Sequence, residues 1–165
     1  MQFSMKYAVA AAVIAVTGAV LYGFFSQSEE VRPGQAVEIL ESNHIPATAP
    51  TPEYNSNPPT SGPHSSPVKN SFYSGGVKEA GAVHNLEHGM IWITYKNVDG
   101  DTVRRLRKIA QRFAGSVFLS LRSANDSPIA LVSWGRIMKM DSYDEQRILD
   151  FITKNKNKSP EPLAR

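Results

Sequence analysis

The chain contains no cysteine. That one absence removes disulfides, thiolate metal ligands, cysteine nucleophiles and the modified cysteine of a lipoprotein anchor together. Whatever chemistry the protein performs must come from imidazole, carboxylate, hydroxyl or thioether groups. Histidine is also scarce: there are four, and none follows His88. Aromatic residues make up 9% of the chain and do not interleave with the basic ones, so no nucleic-acid partner is expected. Charge is missing altogether from residues 7–25.

That uncharged run is mostly Ala, Val, Ile, Leu, Phe and Gly. As a helix it would measure roughly 28 Å, close to the hydrocarbon thickness of a bilayer. A cleaved signal peptide has a shorter apolar core followed by small residues. Here the run closes on the bulky Leu21, Tyr22, Phe24 and Phe25, which suits an interfacial aromatic belt. The expectation is an uncleaved transmembrane helix, with residues 1–25 as cytoplasmic stub and anchor. Lys6 precedes the run and Glu29 and Glu30 follow it. The positive-inside rule then places the N-terminus in the cytoplasm and the rest outside. The protein reads as a single-pass protein of the inner, cytoplasmic membrane with a periplasmic domain. Its partners would be the membrane, through residues 7–25, and a membrane protein beside it.

The remainder divides into a linker (26–43), an extracytoplasmic domain (44–161) and a short tail (162–165). The net charge of +3 is modest. It derives from Arg104, Arg105, Arg107, Lys108 and Arg112, and from Lys154, Lys156 and Lys158. This pattern reads as a solvated helix face, with contact to anionic lipid head groups as the rival. From His44 to about Pro67 prolines are frequent and periodicity is absent. Prolines fix φ, and Gly62 permits a turn that other residues resist, so Pro58, Pro59, Gly62 and Pro63 read as positioning residues for His64. A long ordered loop of this kind is usually functional.

Residues 71–82, with Gly75, Gly76 and Gly81, read as turns, and regular structure is expected only after Gly89. Residues 90–95 are β-branched and aromatic and predict a buried strand. Asp101 is a fair helix N-cap, and Val103, Leu106, Ile109, Ala110 and Phe113 recur at helical spacing up to Gly115. Residues 117–121 predict a second strand. Residues 129–140 predict a third, longer one bent at Gly135. Ser142 and Glu145 fit a capping box before a last helix that buries Ile148, Leu149 and Ile152. The fold class is α/β: the N-terminal transmembrane helix, then one small mixed-sheet domain (strand, helix, strand, strand, helix). The proline-rich segment drapes over the sheet. Trp92, Leu106, Phe113, Leu131, Ile148 and Ile152 are expected in one core.

Val83-His84-Asn85-Leu86-Glu87-His88-Gly89 concentrates half of the histidines and a carboxylate. The string reads H-x-x-E-H, the inverted zincin signature, in which Glu87 would activate water and Glu145 would be the third ligand. A zinc-dependent hydrolase is disfavoured, because the signature needs a helix and a β-branched run follows Gly89 at once. A serine hydrolase through Ser61 lacks the nucleophile elbow. A binding site for zinc or copper fits better: His44, His64, His84 and His88 as ligands, and Glu87 as ligand or as the acceptor that fixes a tautomer. Gly89 is a further positioning residue. Met90 could supply copper(I) with a thioether, but reads as core, as do Met138 and Met140. The competing bland reading is four unrelated polar side chains in loops.

The segments YNSNPPTSGPH (54–64), VHNLEHG (83–89) and PIALVSWGR (128–136) resemble an uncharacterised family of membrane-anchored, mostly bacterial proteins with a domain of unknown function. The likeness covers about residues 44–161. It implies a shared fold and a candidate site with no established activity. In the family pattern His44 also matches a histidine, which supports a metal, whereas the position of Met90 carries varied apolar residues. Two classes of function remain. One is an exported module that binds a transition metal. The other is a non-catalytic interaction or assembly protein whose histidine-proline loop is a recognition surface.

Overall fold

The structure is a computed structural model and describes residues 31–164. Its centre is the strand β3 (Ile91–Tyr95), buried along its whole length. The parity of a strand sends alternate side chains to opposite faces. Ile91, Ile93 and Tyr95 therefore join one core, while Trp92 joins another. Parallel to β3 runs β4 (Val117–Leu121), reached through the helix α2 (Gly100–Arg112). The long crossover makes that parallel pairing possible. On the other side of β3 lies β5 (Ile129–Ser133), antiparallel, which turns at Gly135 into β6 (Arg136–Met140). Two short strands finish the edges: β1 (Gln35–Ala36) on β6 and β2 (Phe72–Tyr73) on β4. The six-stranded order is β1-β6-β5-β3-β4-β2.

Each face of the sheet has its own cover. On one, α2 brings Leu106, Ile109 and Ala110, and α3 (Glu145–Asn155) brings Ile148, Phe151 and Ile152, against Ile93, Leu119 and Leu131. The charges of α2 face away; Arg104 and Arg105 both pair with Asp101. On the other face a third helix, α1 (Glu79–Glu87), sets Ala82, Val83 and Leu86 on Trp92, Phe118 and Val132. Tyr54 and Val68 of the proline-rich segment pack against the same cluster.

Several expectations need correction. Among the described residues there are six strands and three helices rather than three strands and two helices. The expected transmembrane helix over residues 7–25 lies outside the described residues. Among the described residues no helix is long and apolar enough to cross a membrane. The described residues form a mixed α/β sheet with helices on both faces, and a membrane-spanning helix is not among their elements. The single expected core is two, and Trp92 sits in the second. The long third strand is a hairpin because Gly135 adopts φ +63° and reverses the chain. Two caps also shift. Asp99, not Asp101, caps α2 by accepting from the Thr102 N–H, and Asp144, not Ser142, caps α3 by accepting from the Arg147 N–H. In both cases an acidic side chain already stood in the extended conformation that a cap requires.

Candidate metal centre

The helix α1 places two of the histidines. It runs through His84 and Glu87 and ends with His88 as C-cap, where Gly89 turns the chain out at φ +84°. A Cβ on Gly89 would lie 2.6 Å from Asn157 Oδ1 and 2.8 Å from its Cα, so only glycine fits. This contact belongs to a strap. Asn157 donates its backbone N–H to the Gly89 carbonyl, Glu161 to that of Glu87, and Leu163 and Ala164 to that of His88. Helix ends leave carbonyls without intrahelical partners, and here a distant segment supplies the donors.

The proline-rich segment places His64. Pro58 and Pro59 are buried, and the Asn57–Pro58 peptide is cis. The Tyr54 hydroxyl donates to the Pro63 carbonyl at 2.9 Å. Gly62 sits at φ +117°, with Leu40 and Tyr54 3.3 Å from where a Cβ would be. Asn85 of α1 clamps the segment, accepting from the Val68 N–H and donating to the Val68 carbonyl, each at 3.0 Å. His44 arrives on a third stretch. It forms a lone parallel bridge with His64, in which His64 donates its N–H to the Asn43 carbonyl and Ile45 donates to that of His64.

These stretches bring the imidazoles together. His44, His64 and His84 each offer a nitrogen within 4.8 Å of the others. His44 Nε2 lies 3.3 Å from His64 Nε2, and His88 Nε2 lies 2.9 Å from His84 Nε2. His88 is outside the mutual trio and touches it through His84. His64 is wholly buried, His84 and His88 are half-buried, and His44 is exposed. Glu87 is buried beside His64, its Oε2 3.0 Å from His64 Nε2 without completing a hydrogen bond. Its Oε1 accepts from the Ser42 hydroxyl.

Hydrogen-bond polarity constrains the cluster. A carbonyl only accepts, so His64 Nδ1, 3.0 Å from the Gly62 carbonyl, carries a proton. The Nε2 of neutral His64 is then a lone pair, and it faces His44 Nε2 and a carboxylate oxygen. His88 Nδ1 likewise donates to the Glu161 carbonyl at 3.3 Å, which turns its lone pair on His84. Acceptors crowded against acceptors repel unless a proton or a cation lies between them. Two nitrogens bound tetrahedrally at about 2.0–2.1 Å stand about 3.3 Å apart, which is the His44–His64 spacing found here. His84 is held below its ordinary pKa, first by burial, then by the His64 and His88 rings, with a small contribution from His44; the Ser65 backbone opposes the shift. A depressed pKa keeps that ring neutral and able to ligate near pH 7.

Two partners carried no signal in the sequence. Ser42 orients Glu87, and Glu161 fixes the tautomer of His88. Both are ordinary polar residues, 45 and 73 positions from what they touch. Another expectation changes ground. A helix does run through most of H-x-x-E-H, so the absence of one is no argument against a zincin. The third ligand is the stronger objection. Glu145 begins α3, which packs on the opposite face of the sheet, and accepts from the Tyr143 hydroxyl. The hydroxyl of Ser61 accepts from the Leu40 N–H, a structural role. Met138 and Met140 are buried in the first core, and the Met90 sulfur accepts from Asn85.

Fold and site together define a small mixed-sheet α/β domain with a histidine-rich, acceptor-lined centre that could hold a metal ion. The chain belongs to the family described as "Protein of unknown function (DUF3105)", whose model matches residues 46–165. The matched stretch starts just past His44 and includes the other three histidines. No curated protein and no solved structure matches the chain.

Proposed function

We propose that this domain is a metal-binding module that holds one zinc or copper ion through His44, His64 and His84. Glu87 would complete the set as a ligand or as the acceptor that balances charge. The observation that carries the reading is His64 Nε2. It is wholly buried, its ring is held through Nδ1 on the Gly62 carbonyl, and it faces His44 Nε2 at 3.3 Å and Glu87 Oε2 at 3.0 Å. Glu87 Oε2 is buried there with no hydrogen-bond partner, which is costly unless a proton or a cation lies between it and the nitrogens. Three imidazoles and no thiolate suit zinc or copper. A thiol-free site also suits an oxidising compartment, so an extracytoplasmic location is part of the proposal. The role is binding rather than catalysis. Glu145, which the zincin signature would need as its third ligand, lies on α3 on the opposite face of the sheet.

The test is metal analysis of untagged protein after dialysis against equimolar zinc and copper. About one equivalent should be retained by the wild type and none by His64→Ala. Retention by neither would refute the reading and favour the recognition surface.

A further inference from the structure

The cluster has four rings, yet the mutual trio uses three. His88 is left over, and its placement is unusual for a bystander. Its Nε2 lies 2.9 Å from His84 Nε2. Its Nδ1 is committed to the Glu161 carbonyl, which leaves the lone pair on the inner nitrogen. Its backbone N–H bonds to the His84 and Leu86 carbonyls, and its own carbonyl accepts from Leu163 and Ala164. Main chain and ring are therefore both held. The side chain is 26% exposed, against none for His64. A buried floor of His64 and Glu87 thus meets a half-open rim of His84 and His88.

We propose that His88 is an exchange ligand, through which an ion held by His44, His64 and His84 enters and leaves. This rests on the metal-binding reading above. It deepens that reading from a module that holds an ion to one that hands it on. Zinc exchanges ligands by adding an incoming donor before losing an old one, and tolerates five-coordination on the way. A donor already beside His84 lets the ion move toward the His84–His88 pair as a bond to His64 or His44 breaks. No bare, under-coordinated ion forms. From that rim the ion faces solvent, where a donor set on a second metal-binding molecule can take it. Because such a ligand acts on the path in both directions, it changes rates more than affinity.

Stopped-flow transfer of zinc from the loaded, untagged protein to a chromogenic chelator tests this, alongside equilibrium competition for affinity. In His88→Ala release should slow about tenfold, the low end of what supporting groups contribute at metal sites. The dissociation constant should change much less than that. His88→Gln keeps the bulk of the side chain but offers no imidazole nitrogen, and should behave like His88→Ala. Faster release with weaker binding in both variants would make His88 a static ligand and overturn the proposal. Unchanged kinetics would overturn it too, as would normal release in His88→Gln alone, which would mark a packing effect. If the wild type binds no zinc at all, the metal-binding reading itself has failed.

Discussion

The two faces of the sheet are built on different principles. The face under α2 and α3 is dry and apolar: Leu106, Ile109, Ile148, Phe151 and Ile152 close on Ile91, Ile93, Leu119 and Leu131. The face under α1 carries Trp92 and Phe118 too, but its outer layer is polar, proline-rich and knotted by side-chain to backbone bonds from Asn85 and Tyr54. The first face is held by area removed from water. The second is held by geometry, and geometry is what a ligand set needs. Stability and binding should therefore separate when residues of each face are changed.

The largest effect is expected from the dry face. Phe151 is fully buried, and Phe151→Ala should cost about 3–5 kcal/mol in urea unfolding while zinc affinity of the folded protein stays put. A parallel loss of affinity would show that the faces are coupled. On the other side, His64→Ala should lower zinc affinity by more than about a hundredfold, beyond what the loss of a supporting group causes. Unfolding of the metal-free protein should move less than for Phe151→Ala. Ser42→Ala frees Glu87 Oε1, and competition titration should register about a tenfold loss of affinity. Asp99 is an exposed cap of α2, so Asp99→Ala should lower the urea midpoint slightly and leave the metal untouched.

The smallest effect is one of pH. The folded pKa of His84 lies below its ordinary value near 6.5. As pH falls below that value the unfolded chain takes up its proton first. Its bound-proton number then exceeds that of the folded state, and stability rises with pH across this window. Metal-free protein should lose stability on acidification from pH 7, and His84→Ala should flatten that slope in urea midpoints. Zinc affinity should fall over the same range, because protons compete for the imidazoles.

The same contrast explains what could be read from the sequence. Periodicity reports burial on one side, so the β-branched run at β3 and the apolar stripe of α2 were legible from residues alone. Helix α1 was not. It lies between sheet and proline-rich segment, and Ala80, Gly81, Asn85 and Glu87 are buried along with Val83 and Leu86. No apolar stripe marks a helix covered on most sides, and Gly75, Gly76 and Gly81 suggested turns instead. The place of β5 beside β3 was not legible either, since local pattern does not encode strand order. Of the candidate site, the histidines and Glu87 stood out by residue type. Their mutual arrangement did not: all four histidines were expected as ligands, yet His44, His64 and His84 form the mutual trio and His88 is at the rim.

The lone bridge between His44 and His64 has a consequence for a chain without cysteine. His44, His64 and His84 stand at even intervals of 20 positions. An ion joining them would close two loops of that length, each comparable to a disulfide loop worth about 3 kcal/mol on the chain-entropy account. From His44 to the start of α1 at Glu79 that stretch has no helix and only the two residues of β2 as strand. The ion would act as a removable staple. Proteases should then cut residues 45–70 readily in chelator and slowly in zinc.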